Sequence, residues 1–147
     1  MKTELQNELF LKYPKLYVQR YRPHTETLMC FGFACGDGWH TILDNLSAQI
    51  QDRIDYLNAE GSHSYNKSRL SDDHVPVRLE ACQVKEKYGT LRFYYDGDDS
   101  VVEGLVRMAE AMSATTCEIC GDVGKLETKG WYKVRCEKHK GLPLSYT

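Results

Sequence analysis

Four residues constrain this chain more than anything else in it. Cys117, Cys120, Cys136 and His139 read C-x2-C-x15-C-x2-H. Each pair is close enough for a tight knuckle to aim both side chains at one ion. Three thiolates and an imidazole are the soft and borderline donors that a tetrahedral zinc ion takes in a closed structural site. Structural Zn2+ is therefore the expected cofactor, with no open position for water or substrate. Between the pairs, Gly121, Gly124 and Gly130 flank Val123–Lys129 and Trp131–Arg135, the composition of a small hairpin. Residues 117–147 hold too few apolar side chains for a core of their own, so the metal is expected to replace one.

Composition bounds the rest. At 147 residues, 41% hydrophobic and 27% charged, the chain can build one packed domain, expected over 1–116, with the zinc module of 117–147 against it. A net charge of −2 argues against a protein that simply coats nucleic acid, although 117–147 carries six basic against four acidic side chains. No run reaches the length of a membrane span and no apolar leader opens the chain, so a cytoplasmic protein without membrane partners is expected. Cys30, Cys35 and Cys82 then read as reduced, packed thiols.

The periodicities specify an α+β fold: two main helices on a small antiparallel sheet, followed by a zinc ribbon or treble-clef-like knuckle with a shortened last helix. Residues 3–12 form a short leading helix, with Thr3 as its cap and Pro14 closing it. The string Lys15–Arg22 interleaves basic and aromatic residues and reads as extended, either a charged edge strand or a ligand clamp. Leu28–Cys35 is an apolar buried segment. After Gly36-Asp37-Gly38, with Asp37 as N-cap, the main helix spans 38–60. Its stripe is Trp39, Ile42, Leu43, Leu46, Ile50, Ile54 and Leu57, and Gly61 stops it. Residues 61–76 make a long polar loop in which His63 and His74 lack partners at ligand spacing. Val77–Ala81 and Leu91–Tyr95 alternate as a hairpin turning at Tyr88-Gly89. Ser100 with Glu103 forms a capping box opening a second helix whose stripe is Val101, Val102, Leu105, Met108, Ala109 and Met112.

Tyr13-Pro14-Lys15, Thr25-Glu26-Thr27, Gly32-Phe33-Ala34-Cys35-Gly36-Asp37-Gly38-Trp39 and Val84-Lys85-Glu86-Lys87-Tyr88-Gly89-Thr90-Leu91-Arg92-Phe93-Tyr94 occur in that order. Cys117-x-x-Cys120-Gly121 and Gly130-Trp131-x-x-Val134-Arg135-Cys136-x-x-His139 follow. Together they resemble a widespread group of small phage and prophage proteins over nearly the whole chain. The resemblance implies a phage or prophage origin and a life in the bacterial cytosol. It implies no reaction, and carries over only the four metal ligands.

No catalytic residue is assigned. The ligand set leaves no site for metal-bound water, and the His-x-Glu or Cys-x-Glu of a zinc deaminase is absent. The hairpin of 123–135 lacks the histidine an HNH-type nuclease needs, and no phosphate loop or nucleophile elbow appears. The leading expectation is stoichiometric binding: occupation of a host protein, defence enzymes included, or capture of a phosphate-bearing nucleotide signal. The candidate surface combines Arg20, Arg22, Lys87 and Arg92 with Tyr17, Tyr21, Tyr88 and Tyr94, since arginine with aromatics makes both hot spots and nucleotide pockets. The alternatives are a nucleic-acid-binding zinc protein, using the lysines of the module with Trp131 and Tyr132 for stacking, and an enzyme of unassigned reaction.

Overall fold

The stripe that runs from Trp39 along the main helix organises the molecule. The computed structural model describes residues 1–58 and 77–144. In it a single turn of 3-10 helix, Asp37–Trp39, leads into α2, His40–Asn58. Trp39, Ile42, Leu43, Leu46, Ile50 and Ile54 are all buried, as their three- and four-residue spacing requires. Burying each such side chain is worth about 1.5–3 kcal/mol. Ser47 sits within this stripe; its hydroxyl donates to Leu43 O at 2.6 Å and accepts from Tyr17 Oη at 2.6 Å. Both polar groups are therefore satisfied inside the core.

The sheet that receives this face is mixed rather than purely antiparallel. Its order is β1 (Phe33–Ala34), β2 (Glu80–Lys87), β3 (Thr90–Asp96). The β2–β3 hairpin is antiparallel, whereas β1 pairs parallel to β2, Phe33 opposite Val84 and Ala34 opposite Lys85. Two residues are too few to show a period, which is why β1 was not visible as a strand. The hairpin turns at Tyr88-Gly89, with φ of 53° and 82°, the two positive angles of a type I′ turn. A register shift between Ala81 and Gln83 makes Cys82 the extra residue of a bulge. Ala81 and Val84 consequently both face inward, with Leu79, Leu91 and Phe93.

Helix α1, Thr3–Lys12, crosses α2 and buries Leu9. Thr3 lies inside it instead of capping it; Lys2 holds the N-cap position, and its N–H donates to Asp37 Oδ1 at 2.7 Å. Asp37 is thus spent on α1 and does not cap α2. Residues 15–22 form no edge strand: Val18–Tyr21 is a 3-10 turn, and Tyr17, 1% exposed, enters the core against Phe10, Phe33 and Phe93. The segment 28–35 is only partly buried, with Leu28 and Phe31 exposed and Met29, Phe33 and Cys35 inside.

Helix α3, Ser100–Ser113, is capped one residue earlier than the capping-box reading places it. Asp99 accepts from Val101 N and Val102 N, and pairs with Arg53 of α2 at 2.9 Å. Its buried side is Val102, Val106, Ala109 and Ser113, while Val101, Met108 and Met112 of the expected stripe are exposed. The face turns because α3 packs on the edge of β3 as well as on α2. There Ser113 Oγ accepts from Leu91 N at 2.8 Å and Glu110 Oε1 from Phe93 N at 3.1 Å. Gln6 Oε1 similarly accepts from Phe33 N at 3.0 Å on β1. The expected loop 61–76, with Gly61, His63 and His74, lies outside the described residues, whose flanks are joined by Asn58 and Val77. No helix among the described residues is long and apolar enough to cross a membrane.

Candidate functional site: metal centre and open sheet face

Past α3, Thr116 bridges to Val123 and the chain turns through Cys117–Cys120, closed by Gly121 N donating to Cys117 O at 2.8 Å. A short hairpin follows, β4 (Lys125–Glu127) with β5 (Lys133–Arg135), and β5 delivers Cys136 directly. One 3-10 turn, Glu137–His139, then carries His139 back, its N–H on Cys136 O at 3.1 Å. This is a knuckle with its last helix cut to a single turn.

The four ligand atoms all lie within 4.8 Å of one another. Cys120 Sγ is 3.7 Å from Cys136 Sγ, and His139 Nδ1 is 3.6 Å from Cys117 Sγ and 3.3 Å from Cys136 Sγ. A tetrahedral ion with metal–sulfur bonds of about 2.3 Å and a metal–nitrogen bond of about 2.0–2.1 Å has edges of about 3.8 and 3.5–3.6 Å. The residues therefore fit a metal ion held by four protein donors, with Nδ1 as the imidazole ligand. Burial works against the Cys117 thiolate. The backbone N–H groups of Cys136, Cys120 and Ile119 and the His139 ring outweigh it and bring the thiol down to about 6. Cys120 goes the other way, to about 11, through burial and the neighbouring sulfurs. Cys30, Cys35 and Cys82 stay outside the cluster; burial pushes the Cys35 thiol up to about 12, which leaves it inert.

The glycines before α2 have a structural purpose that only the folded chain reveals. Gly38 N donates to Glu118 O at 2.9 Å, Gly36 N to Glu118 Oε1 at 3.0 Å, and Trp39 Nε1 to Thr116 O at 2.9 Å. A Cβ on Gly38 would stand 2.1 Å from Cys117 O and 2.5 Å from Gly121 N. The loop is thus a seat for the knuckle, and its amides are taken by Glu118 rather than left for an anion. Glu118 and Arg135, 3% and 2% exposed, also pair at 3.3 Å. Arg135 Nε donates to Leu142 O at 2.9 Å. Burial raises the Glu118 carboxyl, opposed by the Gly36 amide and by Arg135.

The eight residues of the expected binding surface do not share one surface. Tyr17 is a core residue, its hydroxyl used on Ser47. Arg22 is paired with Glu80 at 2.9 Å, and Glu80 also takes Arg78 and Gln19. Arg20 lies 4.1 Å over the Phe10 ring and 4.7 Å over Tyr21. Phe10 in turn stacks on the inward-facing Phe33, so Arg20 rests against the inner-face aromatics rather than beside Lys87 and Arg92.

Lys87, Tyr88, Arg92 and Tyr94 do come together. Beyond the bulge, Gln83, Lys85 and Lys87 of β2 share the outer face with Tyr94, Arg92 and Thr90 of β3, through the pairs Gln83–Tyr94, Lys85–Arg92 and Lys87–Thr90. Among the described residues no carboxylate pairs with Lys85, Lys87 or Arg92. Glu86, of opposite parity, spends Oε1 on Gly89 N at 2.6 Å. The hairpin tip packs against the metal module: a Cβ on Gly89 would meet Leu126 Cδ1 at 2.6 Å and Lys133 N at 3.0 Å. This brings Trp131 and Tyr132 beside Lys85, Lys87 and Tyr88 around an open cleft of about 570 Å³, which Gly130 and Glu86 also line. Trp131 and Tyr132 belonged to the nucleic-acid alternative, and the sequence offered no sign that they adjoin β2. Comparison with protein-family models, with curated proteins and with solved structures finds no match.

Proposed function

We propose that this protein acts by stoichiometric binding, through the outer face of its sheet, with a zinc ion serving structure alone. The reading also takes it as a small accessory protein of phage or prophage origin. It would work in the cytosol of the bacterial host by occupying a host component, a protein or a phosphate-bearing molecule. One observation carries the proposal. The metal cluster is complete with four protein donors, while the face beside it presents three cations without carboxylate partners among the described residues. A complete donor set supplies neither metal-bound water nor a vacancy for substrate. Zinc is favoured because three thiolates and an imidazole in a tetrahedron suit it better than the harder divalent ions. The resemblance to small phage proteins supports the biological setting.

The test is native mass spectrometry of the protein isolated from infected or lysogenic cells, with elemental analysis alongside. One zinc per chain and a bound partner in simple stoichiometry are expected. Cys117→Ser should lose the metal and the order of the C-terminal module together, because binding and local folding are one event. Metal-free protein after careful isolation, or substrate turnover at catalytic amounts, would sink the proposal.

A further inference from the structure

We infer that the outer sheet face, from Tyr94 to Trp131, binds single-stranded nucleic acid, with bases stacked on its aromatics and phosphates on its cations. The inference rests on the stoichiometric-binding reading and names the partner.

Adding a strand to the sheet is disfavoured: Leu91 N and Phe93 N of β3 are taken by Ser113 and Glu110, and Phe33 N of β1 by Gln6. What remains is the face. Lys85 and Lys87 project from it two residues apart, about 7 Å along the strand, with Arg92 opposite Lys85. Ala34 lies on the far side of Lys85 and leaves the backbone open to approach. At the tip, Tyr88 is 69% exposed and Trp131 is 81% exposed. Tyr88 is held there with a positive φ of 53°, a conformation that a bulky side chain adopts only under constraint. The type I′ turn imposes that angle and holds the ring out at the tip of the hairpin.

Exposed aromatics interleaved with cations that no carboxylate neutralises are how single strands are gripped without base pairing. Here Lys87 lies 5.6 Å over the Tyr88 ring, and among the described residues Arg92 donates only to Thr90 Oγ1 and Leu91 O. A protein partner fits this face less well, because lysine is depleted from protein interfaces and their cores are apolar. Here the paired strands β2 and β3 offer two lysines and an arginine on that face, and Leu28 adjoins it only at the Tyr94 end. A duplex fits no better, since its bases are not free to stack.

The test uses the full zinc-loaded protein and a labelled oligodeoxythymidylate of about 12 nucleotides, within the usual footprint of such a face. Anisotropy is read against salt, with a duplex of equal length and thymidine monophosphate as competitors. The chain has two tryptophans, and Trp39 is fully buried, so quenching of the exposed indole reports on Trp131. The single strand should bind and quench, and the duplex and the mononucleotide should compete at least about tenfold less well. Trp131→Ala should weaken binding about 5- to 150-fold. Lys85→Ala and Lys87→Ala should each flatten the dependence of log K on log salt by about 0.7. Arg20→Ala, which stacks on Phe10 away from the outer face, should leave binding unchanged. Metal content should stay at the wild-type value in all four, and melting temperature in the three variants of the outer face; Arg20→Ala loses its stacking on Phe10 and Tyr21 and serves only as the binding control.

No binding at about 50 mM salt, equal competition by the mononucleotide or the duplex, or binding indifferent to Trp131→Ala and Lys87→Ala would each overturn the inference. If oligonucleotides fail while the cellular complex persists and is lost in Lys87→Ala, the nucleic-acid partner falls and stoichiometric binding stands.

Discussion

Gly38→Ala should uncouple the metal knuckle from the main helix while leaving all four ligands in place. Gly38 has no positive φ, so alanine suits its backbone; the difficulty is contact alone. The added methyl would stand 2.1 Å from Cys117 O, 2.5 Å from Gly121 N and 2.8 Å from Cys120 N. All three are backbone atoms of the knuckle and cannot swing aside as a side chain would. The module must therefore withdraw. It gives up the bonds from Gly38 N and Gly36 N to Glu118 and from Trp39 Nε1 to Thr116 O. Buried hydrogen bonds are worth about 0.5–1.5 kcal/mol each, roughly 3 kcal/mol for these together. Alanine also stiffens the unfolded chain, which offsets about 0.4–1 kcal/mol. A net loss of about 2–3 kcal/mol is expected in urea denaturation followed by circular dichroism. The variant should still bind one metal, yet surrender it faster to a chromophoric chelator. A denaturation free energy within about 0.5 kcal/mol of wild type, with unchanged metal release, would refute the seat.

Gly104→Ala makes the opposite case: it lies within α3 and a Cβ there meets nothing within 4 Å, so stability should rise by about 0.5–1 kcal/mol, and a fall in the same denaturation assay would mean that this face of α3 is covered. Asp99→Asn keeps a capping side chain but removes the charge facing Arg53, whose carboxylate partner is only 9% exposed, and should cost about 1–2 kcal/mol at neutral pH. The Arg53 guanidinium, against burial and with help from the Val102 and Val101 amides, holds the Asp99 carboxyl below its ordinary 3.8. A depressed folded value stabilises above the ordinary one and is lost as pH falls through it, so the gap between variant and wild type should close below about pH 4. Comparing the two proteins cancels pH effects at the cysteines, and a gap undiminished at pH 3 would refute the pairing.

The metal quartet was legible because its evidence is local: two short pairs whose spacing already implies a shared ion. The main helix was legible for a related reason, since seven apolar residues repeat at its period. Elements set by distant partners were not. Asp99 and Ser100 are both good caps, and what selects Asp99 is Arg53, brought alongside by the packing of α2 on α3. Tyr17 sits in a basic-aromatic string that looks like a surface, yet its ring is claimed by Phe33 and its hydroxyl by Ser47. Gly36 and Gly38 read as turn residues until Glu118 arrives to occupy their amides. The open face was half visible: alternation placed Lys87 and Arg92 near the hairpin turn, but only the contact of Gly89 with Leu126 brings Trp131 to join them.

The bond between Gly36 N and Glu118 Oε1 spans 82 positions of the chain, and this sets a timetable during synthesis. A ribosome adding about 5–20 residues per second makes Glu118 some 4–16 seconds after Gly36. For that interval the amides that will seat the knuckle have only water as a partner. Cys136 and His139 come later still, so the ion cannot be enclosed until the hairpin above it has been made. The metal can therefore lock the seat only after the middle of the chain has been made. A shortage of metal would catch the protein with its sheet formed and its seat empty, a state whose fate rests with the cell's proteases rather than with its own folding.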